Sequence, residues 1–349
     1  MIVVRCRTHR PRRGRISETH MTSPRYPVLD QLRVIAMFMV LLVHSPVNEE
    51  LWTTPVVSFL QRFIAVGAVP AFFMLSGYLG ARKLDSRSIS FREYSLEKIR
   101  TLVIPFLFWN LSVLSLVLLI KILGLDSGFR GQGAYFDVEL TFSSIVSAMF
   151  GIGRWPIVFQ LWFLRDLIVV VFLAFFIRRY LPKIPLLPWL LLLLVPVPMA
   201  SSLGYYLLGH WMRESLPPDK FPEVRGSVLF CVSWILLGIW MTMGAFVVPY
   251  PLLQIGSAAF ALMLAIATVS TPWLGRLSVL GPAMFFVYAT HSLLFTVIGK
   301  MWQVSGLRGY GSIFCYLIVP LIVFPLCVGA YWVLKALSPR LIALATGGR

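Results

Sequence analysis

Charge is scarce in this sequence, and acidic charge scarcer still. Only 13% of the 349 residues are charged, about half the share of a soluble domain. Of these, 14 are acidic and 31 basic, a formal net charge of +17. Cysteine is also rare. Cys6 stands in a basic N-terminal stretch, Cys231, Cys315 and Cys327 stand inside apolar runs, and no pair has C-x-x-C spacing. This argues against a disulfide framework or a thiolate metal site, and no metal is expected; the three are read as structural thiols in helices. There is no internal repeat, no low-complexity tract and no soluble domain of useful size. Residues 1–25 lack an apolar core of their own, so they do not read as a cleaved signal peptide. They are expected to be a basic cytoplasmic tail, or over residues 1–20 a start-site artefact with Met21 as the alternative start.

What the chain has in abundance is long apolar runs. Its residues are 58% apolar, and they cluster in blocks near the ~20 residues that a spanning helix needs. Segments at about 28–45, 60–80, 100–122, 161–178, 186–207, 227–245, 250–269, 281–299 and 312–337 read as spans, with a tenth at 140–152 that is short and suits an interface. The expected fold is all-α, a polytopic membrane bundle of about ten helices. The domain plan is a tail over 1–25, a membrane domain over 26–340 and a short tail over 341–349.

The basic excess has two readings, nucleic acid or membrane topology. The second is preferred because cytoplasmic loops collect Lys and Arg. The Arg5–Arg15 cluster precedes the first span. Asn48-Glu49-Glu50 lacks basic residues and suits the outer side. Arg82, Lys83, Arg87, Arg92, Lys98 and Arg100 return inside, as do Arg178, Arg179 and Lys183. The N-terminus is therefore expected in the cytoplasm, in a multi-pass protein of a bacterial inner membrane with no nucleic-acid partner.

An ionisable side chain within a span costs about 2.5–3.5 kcal/mol even on lenient scales, so such residues face the bundle interior. The first run carries Arg33 and His44, eleven residues apart. At 100° per residue this is three turns plus about 20°, one helix face, with a rise of about 16 Å. Arg33 suits phosphate recognition through its planar fork. His44 suits removal of a proton from a hydroxyl at neutral pH. The plainer alternative pairs Arg33 with Asp30, or with lipid headgroups, and makes His44 an interfacial helix cap. Ser76-Gly77 permits close helix packing. Lys98 and Arg100 open the third run, as topology signal or phosphate contact. Trp162 suits an aromatic belt, and Arg165 suits a pair with Asp166 or a lipid phosphate. His291 lies within the eighth run and needs an interior partner. His210 falls in the 208–226 connection and is expected to be solvated.

Five segments taken together resemble the acyltransferase-3 family. They are Leu29-Asp30 with Arg33-x10-His44; Phe72-Phe73-Met74-Leu75-Ser76-Gly77-Tyr78-Leu79; Lys98 to Pro105; Leu161-Trp162-Phe163-Leu164-Arg165-Asp166; and Tyr288-Ala289-Thr290-His291. They fall in the family's order over residues 28 to about 300. The resemblance implies a bundle of about ten helices that moves an acyl group from acyl-CoA to hydroxyls of sugars. On it the essential histidine falls on His44 and the paired arginine on Arg33. The family's Arg-x-x-Arg before the third helix becomes Lys98 and Thr101 here, with Arg100 adjacent.

The expected function is thus an integral membrane O-acyltransferase using acyl-CoA, acetyl-CoA first, on a carbohydrate or glycoside acceptor. His44 is expected as general base, with Arg33, Lys98 and Arg100 on the donor phosphates. Asp30, Ser76, Gly77, Trp162, Arg165, Tyr288 and His291 are expected in binding or supporting roles. Two rivals remain at this level: a proton-coupled transporter and a non-catalytic receptor or scaffold of the same fold.

Overall fold

The computed structural model describes residues 26–348 apart from 48, 53, 86–88, 125–138, 140, 179, 181–185, 196, 243–247 and 306–311. The basic stretch 1–25, with Cys6 and Met21, and the loop residues Asn48, Arg87, Arg179 and Lys183 lie outside the described residues. Regular structure among the described residues is helical throughout.

In chain order the α-helices are α1 (Pro27–His44), α2 (Glu49–Trp52), α3 (Pro55–Val57), α4 (Ala68–Asp85), α5 (Phe91–Lys98), α6 (Ile104–Ile122), α7 (Phe142–Phe150) and α8 (Trp162–Ile177). They continue with α9 (Leu186–Leu191), α10 (Pro198–Ser215), α11 (Val224–Thr242), α12 (Tyr250–Val269), α13 (Met284–Val304), α14 (Ile313–Leu337) and α15 (Pro339–Thr346). Two π-helical stretches, Ser58–Ile64 and Ile99–Val103, lead into α4 and α6, and a 3₁₀ stretch at Leu274–Ala283 leads into α13. Among the described residues eight helical stretches are long and apolar enough to cross a membrane, and they coincide with eight of the nine expected runs. The run at 140–152 holds α7, whose nine residues are too few to span. The expected short tail at 341–349 includes most of α15, which packs against α6 and receives the Trp109 indole N–H on the Ala345 carbonyl at 2.9 Å.

The run at 186–207 is corrected. It is not one span but α9, a 3₁₀ turn at Leu192–Leu194, and α10. The chain carries prolines at 196 and 198, and a residue before proline is pushed out of the helical region. Val195 (ψ 124°) and Val197 (ψ 117°) are accordingly extended. Helix α10 instead continues to Ser215, and this corrects His210 as well: it is 4% exposed inside a helix rather than solvated in a loop.

Small residues explain why α10 lies so close to α4. A methyl group added to Gly77 would collide with the Tyr206 carbonyl, and one added to Gly209 with the backbone of Met74. In a membrane, where apolar side chains gain little by leaving lipid, such backbone approach drives helix pairing. Helix α11 shows the same logic at the rim. Ser227, Cys231 and Gly238 point inward while Leu229, Leu236 and Trp240 are exposed, an outward apolar face suited to lipid.

Helix α1 sits in the middle, against the Leu274–Ala283 stretch, α4, α12, α13 and α14. Polar clasps hold it at both ends. Gln31 Nε2 donates to Thr268 Oγ1 (3.1 Å) and to the Leu274 carbonyl (3.0 Å), and the Asp30 side chain abuts Gly281. At the far end Gln61 Nε2 donates to the Leu42 carbonyl (3.1 Å), and Ser45 Oγ donates to the Tyr316 carbonyl (2.7 Å). A carbonyl at a helix end is left without its intrahelical donor, and burying it unpaired is costly.

Gly209→Ala is expected to lower stability by about 1–3 kcal/mol through overpacking. Gly226→Ala, whose added methyl meets open space, is expected to be neutral or slightly stabilising. Thermal unfolding of both variants in one detergent checks the contrast.

Candidate active site

His44 closes the last turn of α1, and Ser45 beyond it is extended (ψ 141°). The imidazole is partly buried. Its ring lies edge-on to Phe159 at 5.3 Å between centroids and tilted against His291 at the same distance. Two histidines from opposite ends of the sequence therefore meet at the end of α1.

His291 is fully buried on α13. Its Nδ1 lies 2.8 Å from the Tyr288 carbonyl and 3.2 Å from that of Val287. A carbonyl oxygen only accepts, so Nδ1 carries a hydrogen. In the neutral ring Nε2 is then the acceptor. That atom is buried and has no hydrogen-bond partner among the described residues. Burying an unmet acceptor is unfavourable, which marks this atom as one that expects a donor.

The neighbours of this pair come from the segment that leads into α8. Val158 N–H donates to Oδ1 of the buried Asn110 (3.2 Å), fixing the chain just before a 3₁₀ turn at Phe159–Leu161. Gln160 Nε2 donates to the Ala289 carbonyl (3.1 Å), and the Tyr288 hydroxyl donates back to the Gln160 carbonyl. These two bonds lash α8 to α13. Gln160 Oε1, like His291 Nε2, is buried without a partner among the described residues. Phe163 packs on Phe73 (4.6 Å) and Tyr288 (5.8 Å), so α4, α8 and α13 meet at this level.

One turn further, Asp166 is buried and Arg165 is 30% exposed. Arg165 Nε and Nη2 each lie 2.9 Å from Asp166 Oδ1, and Nη1 donates to the Gly151 carbonyl at 2.8 Å. Arg165 thus ties the α7–α8 loop to the carboxylate beneath it. Trp162 stacks edge-on with Trp155 of the same loop at 5.9 Å.

The remaining sequence candidates lie elsewhere. Arg33 stands at the opposite end of α1 and is paired with Asp30, with a third of its side chain exposed. Lys98 lies 3.6 Å from Glu97 and over the Tyr94 ring at 5.0 Å; Arg100 is exposed in the π-helical turn that follows. Chain direction puts that turn at the same end of the bundle as Arg33, on the hairpin packed against α8 and α15. Ser76 Oγ donates to the Phe72 carbonyl within α4 (2.8 Å), and Gly77 faces α10. The structure therefore separates an imidazole-and-amide cluster around His44 from a cationic end around Arg33.

A sequence model of the acyltransferase domain matches residues 26–334, almost the whole described chain. The chain belongs to the acyltransferase-3 family. It is a multi-pass membrane enzyme that transfers an acyl group. Among curated proteins this acyltransferase resembles the succinoglycan biosynthesis protein ExoH of Rhizobium meliloti (strain 1021), at 26% identity over 92% of each chain. No solved structure gives a significant match.

Sequence reasoning missed Gln61, Asn110, Phe159 and Gln160 in the cluster around His44, while the pair it expected between Arg165 and Asp166 is present. Amides buried in apolar runs are the signal that would have found three of them, since each must be hydrogen-bonded inside the bundle.

Arg165→Met strands the Asp166 carboxylate and is expected to cost about 2 kcal/mol, less than for a fully buried pair because Arg165 is 30% exposed. Arg165→Met with Asp166→Leu is expected to recover most of that loss. Unfolding midpoints of the single and double variants decide the matter.

Proposed function

We propose that this acyltransferase moves an acetyl group from acetyl-CoA to a hydroxyl of a sugar or glycan, with His44 as general base. The observation that carries the reading is the contact of His44 with His291, whose Nε2 is a buried acceptor without a partner among the described residues. A sugar whose reacting hydroxyl donates to His44 can place a neighbouring hydroxyl to donate to His291 Nε2, and Gln160 Oε1, on the same turn as Phe159, is a further unmet acceptor. The glycan acceptor is supported by the resemblance to a succinoglycan biosynthesis protein.

In this mechanism His44 removes the hydroxyl proton as the new C–O bond forms at the thioester carbon. As the C–S bond breaks, the proton passes to the CoA sulfur, so ester and free thiol leave and His44 is again neutral. A covalent acyl-histidine alternative splits the same transfer in two. Arg33, oriented by Asp30, keeps the exposed part of its guanidinium for a donor phosphate, with Lys98 and Arg100 at the same end. The rise from Arg33 to His44, about 16 Å along the helix, suits a pantetheine arm reaching from phosphates to thioester. Positive-inside bias puts the Arg33 end and the N-terminus in the cytoplasm, in a bacterial inner membrane. Residues 26–340, with the remainder of α15, make up the catalytic domain.

In nanodiscs with labelled acetyl-CoA and a glycan acceptor, His44→Ala is expected to lower kcat by about 10²–10⁴-fold. Arg33→Ala is expected to raise the donor KM roughly tenfold. His291→Phe is expected to lower kcat with the donor KM unchanged. Full transfer by a correctly inserted His44→Ala protein overturns the assignment, and faster turnover with succinyl-CoA replaces the donor.

A further inference from the structure

Helices α1, α4, α10 and α12 enclose a cavity of about 450 Å³ that the acyl-transfer site does not use. Its wall is almost wholly apolar, with Leu29 and Leu32 from α1, Ala71 and Met74 from α4, Leu208 from α10 and Leu262 from α12. His44, His291, Tyr288 and Gln160 do not border it. An apolar space of this size is in the range of ligand sites rather than packing defects.

One cation stands at its edge. Met212, Ser215 and Leu216 line the cavity, and Arg213 on the same turn lies over the Tyr78 ring (5.0 Å) and the Tyr26 ring (5.7 Å). Tyr78 also borders the cavity, and its hydroxyl donates to the Leu216 carbonyl at 3.1 Å, which fixes the ring beneath the guanidinium. Aromatic faces hold a cation without neutralising it. Among the described residues no carboxylate forms an ion pair with Arg213. Tyr26 immediately precedes α1 and Arg213 is two residues from the end of α10, so this cation lies at the end of the bundle. Exposed Trp211 borders the same cavity, where an interfacial aromatic is favoured.

We infer that this is a binding site for one anionic phospholipid of the surrounding bilayer, an acyl chain filling the cavity and the phosphate on Arg213. The chain of an acyl-CoA donor does not suit it. Leu29 and Leu32 are at the end of α1 remote from His44, so a chain lying here carries its thioester away from the histidine pair. A phospholipid satisfies both halves at once, hydrocarbon in the apolar space and a bidentate anion for the fork. Because Leu29 and Leu32 flank Asp30 and Arg33, the lipid also braces the turn of α1 that carries the Asp30–Arg33 pair.

The test titrates delipidated full-length protein in neutral detergent with phosphatidylglycerol, read by native mass spectrometry. Diacylglycerol and inorganic phosphate are run separately. Wild type is expected to hold one phosphatidylglycerol after all others are stripped. Ala259→Phe, which fills the cavity, is expected to weaken retention roughly tenfold. Arg213→Gln, half-buried at the mouth and easily tolerated, is expected to weaken phosphatidylglycerol about tenfold while leaving diacylglycerol unchanged. Wild-type retention in both variants, or no retained lipid in wild type, overturns the site. Equal binding of diacylglycerol and phosphatidylglycerol by wild type overturns the role of Arg213, and phosphate binding as tightly as the lipid overturns the role of the cavity.

Discussion

Helix α1 is pinned by side-chain hydrogen bonds at both ends, and the site depends on that pinning. Gln31 and Asp30 lock its first turn to the Leu274–Ala283 stretch, while Gln61 and Ser45 secure the carbonyl end. In a low-dielectric interior each of these bonds is hard to exchange for water, so the helix is held in both depth and rotation. A shift of one residue along the axis would turn His44 by about 100° away from His291.

Around that fixed helix the chain brings distant segments together by backbone-directed bonds rather than side-chain pairs. Asn110 holds Val158, Gln160 holds Ala289, and Tyr288 returns a bond to Gln160. Three amide or phenol groups thereby set where Phe159 and His291 meet His44. For an acyltransferase this matters because the reacting groups must be oriented before they meet, and misplacement of about 1 Å is costly in rate.

Much of this was legible in the sequence, for reasons that differ by feature. The long apolar runs announced the helices because lipid demands length and low charge. Arg33 and His44 stood out because their spacing keeps one helix face. The run at 186–207 misled because apolarity alone carries no direction; the prolines at 196 and 198 outweighed it. His210 misled in the opposite sense, since the close approach of Gly77 and Gly209 that buries α10 is a property of two helices together. Pairings such as Gln160 with Ala289 join residues 129 positions apart, and no periodicity within either segment encodes them.

The hydrogen on His291 Nδ1 has a consequence for proton movement. A histidine relays protons by taking one on one nitrogen and releasing another from the other. Here Nδ1 faces two carbonyls, neither of which can pass a proton onward, so the ring has a single working face. His291 is therefore a cul-de-sac, not a conduit: a proton that reaches its Nε2 must leave from the same atom.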